Sequence, residues 1–584
     1  MGVRHLLTFM ERKVNGGTYP VKMDQEIQAA KTGTKKPLIV IDLMALFGLF
    51  CDDKHSLLCG SQIRLVERQA DDFFKRLAET GAELVFFYDG TLQAFKYETW
   101  TARQNEKYKN MIAIVDDIDH GTPLTQIVNR HWRTIPNNTG LKLKRVARQH
   151  GQLIISVAVE CDQALAAYAV KHKALAIISH DTDFFIFEGN WQLWSANHIN
   201  IETLEAIGYN RKALLKTLGL NWQQMAVFAT LGGNDFFKYD EVEPFLNNFG
   251  QHNLKFPRLA EYIRNLALDK KSIKKTIDRV LSCVYHGRPV PREAREWFQQ
   301  SLTFYKTDGK AVNSKNLSAD PLQKFLLDAN QHFVHNILTG YPFNCTLYFF
   351  DYRSPALGNY SDIISPIISR IAGIILYHHR QAGIAHVKVM TKRSHTESHT
   401  MYTVPAEFPE HAVPPPIQEL HASDASTCES LLMAKLALLS WVCSDNLPFE
   451  PFAALPPSLM VTVLTLFRLI EFGALVLFEA DLLFWIAHDL SLDGFDPSTE
   501  RRPYRLDPRA FRIGFLFQKI YAHFARVAKS LGLPSMYRPS TPYDGLRFHN
   551  QYGAWRDGHI QHQMGTSFFD WRLYSLATPR HNVD

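Results

Sequence analysis

The sequence predicts an α/β fold, a parallel sheet flanked by helices, followed by a mostly α-helical C-terminal half. Three observations carry this. Four short apolar runs alternate with helical patterns over the first 240 residues. Each run is followed by acidic residues. Beyond about residue 245 the strand signal fades.

The runs are PLIVID (37–42), AELVFFYD (82–89), QLIISV (152–157) and ALAIIS (174–179), each bounded by Gly, Asp or charged residues. Such β-rich runs separated by helical segments, for example ERQADDFFKRLAET (67–80), imply parallel strands covered on both faces. In sheets of that kind a ligand sits beyond the carboxyl ends of the strands. Later in the chain only NCTLYFFD (344–351) and AHVKVM (385–390) read as strand candidates. The proline-rich stretch VPAEFPEHAVPPPIQEL reads as a linker. The expected organisation is therefore an α/β domain over 1–245, a mainly helical region over 246–403, a linker over 404–420 and a helical domain over 421–584.

The chain has 584 residues, too many for one core. With 46% hydrophobic and 21% charged residues it has the composition of an ordinary globular protein. Lys plus Arg exceed Asp plus Glu by only 64 to 58, so partners cannot be read from net charge. Seven scattered cysteines with no CxxC pair argue against a zinc module and a disulfide framework. The N-terminal stretch lacks the apolar run of a signal peptide, and Leu6 stands where a myristoylation motif wants Ser or Thr. The most apolar stretch, Leu459 to Ala487, is interrupted by Arg468, Glu471, Glu479 and Asp481, and reads as buried helices rather than a membrane span.

The acids are the informative feature. The first two runs end in Asp42 and Asp89, the third is followed by Glu160 and Asp162, and the fourth by Asp181 and Asp183. Asp235 follows in LGGND. Any one of them is explained as a turn residue or helix N-cap. Seven on one sheet edge are not, because two unit charges ~5 Å apart repel by roughly 3 kcal/mol at an effective dielectric of ~20. Magnesium or manganese relieves that repulsion, since hard cations prefer carboxylate oxygens. Two such ions suit the in-line displacement of a phosphodiester.

These residues resemble the flap endonuclease/XPG family, whose nuclease domain belongs to the PIN-like group. The likeness covers about residues 1–240: Met1-Gly2-Val3, IVID, FFYDG, ECD, HDTD and LGLNWQQ…LGGND. It implies that Asp42, Asp89, Glu160, Asp162, Asp181, Asp183 and Asp235 hold two Mg2+ or Mn2+ ions. It also implies that Lys96 and Arg103 contact the scissile phosphate, and that Gly2 lies on nucleic acid. After Asp235 the family's glycine-containing helix–hairpin motif is missing, which removes that route to duplex anchoring. A sliding-clamp box is also missing, although QHQMGTSFF (561–569) comes close. A finer likeness, carried by CGSQ (59–62) and FFYDGTLQAFKYETWTARQNEKYK, is to the branch containing the constitutive coactivator of PPAR-gamma and the asteroid-like proteins. That branch implies a second reading, a non-catalytic transcriptional coactivator or RNA-binding scaffold.

Residues 91–150, which correspond to the arch of the nucleases, hold ten Lys or Arg against five Asp or Glu, interleaved with Phe95, Tyr97, Trp100, Tyr108 and Trp132. Basic residues track phosphates and aromatic rings stack on unpaired bases, so the mixture suits a single strand. Trp100, Lys107 and Lys109 join Lys96 and Arg103 as candidate contacts; a solvated basic helix face is the plainer alternative. The same two readings apply to LKLKRVARQH (141–150), with five basic residues counting His150, and to KKSIKK (270–275), a nuclear-localisation pattern or a charged helix surface. The expected partners are single-stranded or flap DNA or RNA, with proteins on the helical C-terminal half and no membrane. The expected location is the nucleus, with the cytoplasm as the alternative.

Overall fold

The computed structural model describes residues 2–50, 53–135, 140–157, 159–250, 252–268, 272–307, 320–346, 350–382, 385–422, 428–492, 495–540 and 542–558. Met1, Lys270, Lys271 and the QHQMGTSFF segment lie outside them. The chain divides into two compact units, the first comprising Met1–Phe50, Gln69–Thr99 and Leu143–Leu317, the second Cys51–Arg68, Trp100–Lys142 and Ser318–Asp584.

The first unit is built on seven strands: β1 (Thr18–Lys22), β2 (Leu38–Asp42), β3 (Glu83–Asp89), β4 (Gln152–Ser156), β5 (Ala176–Ser179), β6 (Gln192–Ser195) and β7 (Glu205–Tyr209). They lie in the order β1-β7-β6-β5-β2-β3-β4. From β6 to β4 the pairing is parallel, and β7 and β1 add an antiparallel edge, so the sheet is mixed. Every residue of β2 and β5 is buried. This is what continuous apolar runs produce when helices cover both faces. Val40, Val85 and Ile177 pack with Leu165 and Ala166 of the helix Cys161–Lys171. On the opposite face Phe86 meets Phe74 with ring centroids 4.8 Å apart.

The four apolar runs of the sequence are β2 to β5. The other three strands left little trace there, because β1 is a mostly exposed edge strand carrying Pro20, and β6 and β7 are short and mixed in polarity. Helices Tyr239–Asn247, His252–Arg264, Ile273–Val284 and Ala294–Phe304 share the core of this unit.

The second unit is mostly helical. Its core is formed by Tyr360–Leu376, Glu429–Cys443, Pro457–Glu471, Leu477–Ser491, Pro508–Ser530 and Gly545–Arg556. A small sheet, β8 (Phe343–Asn344), β9 (His386–Thr391) and β10 (Thr400–Pro405), runs in the order β10-β9-β8. The proline-rich stretch lies within this unit: Val404, Ile417 and Leu420 are buried, and Glu407 N donates to Ser369 O at 3.1 Å. Among the described residues one stretch, Pro355–His379, is long and apolar enough to cross a membrane, and 67% of its apolar window is buried. The described cysteines are free thiols.

The CGSQ segment belongs to this unit, and its residues explain the pattern. Gly60, at φ +97°, allows the chain to pass under Tyr543 and Gln518, where a Cβ would fall 2.6 Å from Gln518 Nε2. Gln62 donates to Pro497 O at 2.6 Å and to Asp544 Oδ2 at 3.1 Å, while Asp544 caps the helix Gly545–Arg556 by accepting from Arg547 N. Burial pushes the Asp544 carboxyl from 3.8 up to about 6. A raised carboxyl pKa means that the folded protein keeps a proton the unfolded chain releases. This group's contribution is therefore fully present below about pH 4 and is lost as pH rises through about 6. Asp544→Asn should abolish that component, at most about 3 kcal/mol, in denaturant melts at pH 4 and 7. An unchanged pH dependence would sink this assignment.

Candidate metal centre

Strand order reverses at β2, with β3 and β4 following on one side and β5 on the other. The crevice beyond the carboxyl ends of β2, β3 and β5 is thus the switch point where open α/β sheets bind ligands. Asp42 ends β2, Asp89 ends β3, Glu160 and Asp162 follow β4, and Asp181 and Asp183 follow β5. Asp235 follows the helix Trp222–Gly232.

The structure gathers all seven in one electrostatic network. Asp162, Asp181 and Asp183 offer oxygens that all lie within 4.8 Å of one another. Burial pushes the Asp42 carboxyl up to about 7, and Asp89 and Asp181 push it the same way. Asp162 and Asp183 are held well above the usual carboxylate range, first by burial and then by neighbouring acids, Glu160 for the former and Asp181 and Asp235 for the latter. Glu160 is raised by burial and by Asp89, with Lys96 acting against them. Carboxyls so placed retain protons unless positive charge replaces them.

One such charge is already present. Lys96 Nζ lies 2.5 Å from Glu160 Oε1 and 3.3 Å from Asp235 Oδ2. Burial lowers its pKa, but Glu160, Asp235 and Asp162 outweigh burial and raise it. The remaining acids form a donor set of hard oxygens that fits a divalent cation such as Mg2+ or Mn2+.

The capping role and the clustering coexist because a carboxylate has two oxygens. Glu160 Oε2 accepts from the N–H groups of Asp162 and Gln163, leaving Oε1 for Lys96. Asp42 Oδ1 accepts from Met44 N and Ala45 N, while Oδ2 accepts from Ser179 Oγ at 2.8 Å. Asp181 Oδ1 accepts from Asp183 N at 3.0 Å.

Gly2 lies against the same turn, at φ +49°; a Cβ there would fall 2.3 Å from Thr182 Oγ1 and 2.8 Å from Asp181 Oδ1. Trp100, Arg103, Lys107 and Lys109 belong to the second unit. Trp100 is half-buried and meets His399 edge-on, with centroids 6.1 Å apart. Arg103 is half-buried, and Lys109 is exposed. Lys107 has its pKa lowered by burial and by Arg103, one turn away. Tyr108, counted among the stacking aromatics in the sequence, is buried instead, 3.0 Å from His395 Nδ1.

The structure adds residues that sequence reasoning missed. Tyr305 Oη donates to Asp183 Oδ1 at 2.7 Å and accepts from Asn234 Nδ2 at 3.4 Å. Asn234 also donates to Ser301 Oγ, which contacts Thr230 Oγ1 at 2.7 Å. Asn234 stands next to Asp235 in LGGND and could have been noticed; Tyr305 carries no sequence signal. A cleft of about 400 Å³ opens beside Glu160, lined among others by Gln93, Gln163, Gln299, Gln300, Phe236 and Phe304, with no Lys or Arg in its walls.

The first unit is thus an α/β domain whose mixed sheet carries clustered acids at the carboxyl ends of its parallel strands. No family model matches the chain. The chain is similar to the constitutive coactivator of peroxisome proliferator-activated receptor gamma. It is 27% identical over 252 residues to the Homo sapiens protein, covering 42% of this chain and 27% of that one. To the Bos taurus protein it is 25% identical over 209 residues, 36% of this chain and 29% of the other. The matches thus span little more than a quarter of these relatives. Among solved structures, the catalytic core of Rad2 in complex with DNA substrate aligns at 16% identity and a TM-score of 0.28, over 56% of this chain and 84% of Rad2's. Human GEN1 in complex with Holliday junction DNA aligns at 12% and 0.29, over 58% and 79%.

Tyr305→Phe removes only the hydroxyl that fixes Asp183. Mn2+ affinity measured by calorimetry should fall about ten- to a hundredfold, the usual effect of losing a partner that orients a ligand. Equal affinity in the variant would show that Asp183 does not depend on this bond.

Proposed function

We propose that the first unit is a Mg2+- or Mn2+-dependent nuclease site that cleaves single-stranded or flap-like DNA or RNA. The observation that carries this is the gathering of seven carboxylates at the switch point, three of them with oxygens within 4.8 Å. Two bound cations would lower the pKa of an attacking water and offset charge on the phosphodiester. Asp162, Asp181 and Asp183 are the central ligands, with Asp42, Asp89, Glu160 and Asp235 around them. Lys96, poised between Glu160 and Asp235, is the residue best placed to pass its ammonium to a phosphate once cations take over those carboxylates. Arg103 is assigned the second phosphate contact on the family resemblance. Gly2, Trp100, Lys107 and Lys109 are assigned to the strand.

The coactivator relatives favour a second reading, a nuclear scaffold that binds nucleic acid or protein without cleaving. The helical second unit would supply the protein contacts. The two readings separate on turnover. Labelled single-stranded and flap DNA and RNA should be cut by the full chain in Mg2+ or Mn2+, and Asp181→Ala/Asp183→Ala should reduce cutting to background. If no substrate is cut, and nucleic-acid binding is the same in the double variant, the scaffold reading stands and the enzyme reading falls.

A further inference from the structure

The second unit carries a basic, aromatic surface that the acid cluster does not use. Among the described residues three large aromatic side chains are strongly exposed: Trp132 (49%), Tyr341 (40%) and Tyr504 (73%). Two of these three share one patch. The helix Leu124–His131 runs into Trp132, and its Leu124 N donates to Tyr504 O at 2.9 Å. Lys54 Nζ lies 5.9 Å from the centre of the Trp132 ring, and the adjacent Asp53 pairs with Arg502 at 3.5 Å. The exposed segment RRPYR (501–505) and the turn after the helix are thereby tied to the same short stretch of chain.

The charges on this surface are unbalanced. Arg133, Arg501 and Arg505 are exposed and have no carboxylate partner among the described residues. The nearby acids are already engaged: Asp53 with Arg502, Asp117 with Arg130 and His131, and Glu500 with Arg547. Arg505 lies 5.4 Å from the centre of the Tyr504 ring, so that ring stands beside a cation. Exposed rings among unpaired guanidiniums are costly to hydration and useful to one ligand chemistry. Guanidiniums bind phosphates, and ring faces stack on bases that are not already stacked in a duplex.

We propose that this surface binds a single-stranded polynucleotide, with Trp132 and Tyr504 stacking on bases and Arg133, Arg501 and Arg505 on the backbone. An acidic peptide would satisfy the arginines but leaves the two rings without a role. The site goes beyond the acid cluster and stands whether or not that cluster cleaves.

The test uses the full chain in EDTA, which silences any cation-dependent contact, and follows the anisotropy of labelled oligo-dT and oligo-U of about twenty nucleotides. The single strand should bind at least about tenfold more tightly than a blunt duplex of that length. Trp132→Ala/Tyr504→Ala should weaken it by about tenfold or more. Arg501→Glu/Arg505→Glu should weaken it and flatten the logarithmic salt dependence by about 1.4, the slope of two phosphate contacts to a single strand. All four positions are exposed, so melting temperatures should match the parent's. Single-strand binding unchanged in both double variants would overturn the proposal. So would equal affinity for the duplex, or variants that lose only binding to anionic vesicles. Loss of cleavage with this binding intact would count against the nuclease site alone.

Discussion

The first unit depends on the repulsion among carboxylates that its topology brings together. Parallel strands deliver their carboxyl ends to one edge, and a reversal of strand order opens a crevice there. With Asp42, Asp89, Glu160, Asp162, Asp181 and Asp183 all on that edge, the fold must hold like charges close together. It does so by tying one oxygen of Asp42, Glu160 and Asp181 to backbone N–H groups at the starts of the following turns. The bonds that form the local turns are the same bonds that keep the acids from swinging apart.

Lys96 shows how much cationic charge this arrangement demands. A half-buried lysine ordinarily loses its proton more readily, yet here the surrounding carboxylates hold it on. One ammonium balances one of seven acids, and it reaches Glu160 and Asp235. Burial and the neighbouring acids bias Asp162 and Asp183 toward their neutral forms. The hydroxyls of Ser179 and Tyr305 each donate to one acid.

The parts of this design legible in the sequence were those with a local signature. LIVID, ELVFFYD, QLIIS and AIIS announce themselves by apolar runs of β-branched and aromatic residues, and the acids follow them at the turns. β1 with its Pro20, and the short β6 and β7, lacked that signature because β1 is mostly exposed and β6 and β7 mix polar with apolar residues. Tyr305 was invisible for another reason: its bond to Asp183 spans 122 positions, and nothing near it in sequence is distinctive. The same is true of Gln62 and Asp544, separated by 482 positions. The sequence marked CGSQ as a likeness; only the structure shows that Gly60 and Gln62 earn their place by fitting under Tyr543 and beside Pro497.

A scaffold could be built on this sheet without the acids, because fold does not fix function. Asn at position 42 or 181 would keep an oxygen for the same backbone N–H groups and cap the same turns. It would also remove a buried charge whose neighbours repel it. Gln at 160 would keep the cap in the same way, although Lys96 would then lose its nearest partner. Caps alone therefore account for oxygen atoms at these positions, not for ionisable ones. Under the proposed reading, a cationic ligand with more than one charge would account for the ionisable oxygens at all seven positions, which capping of the turns does not.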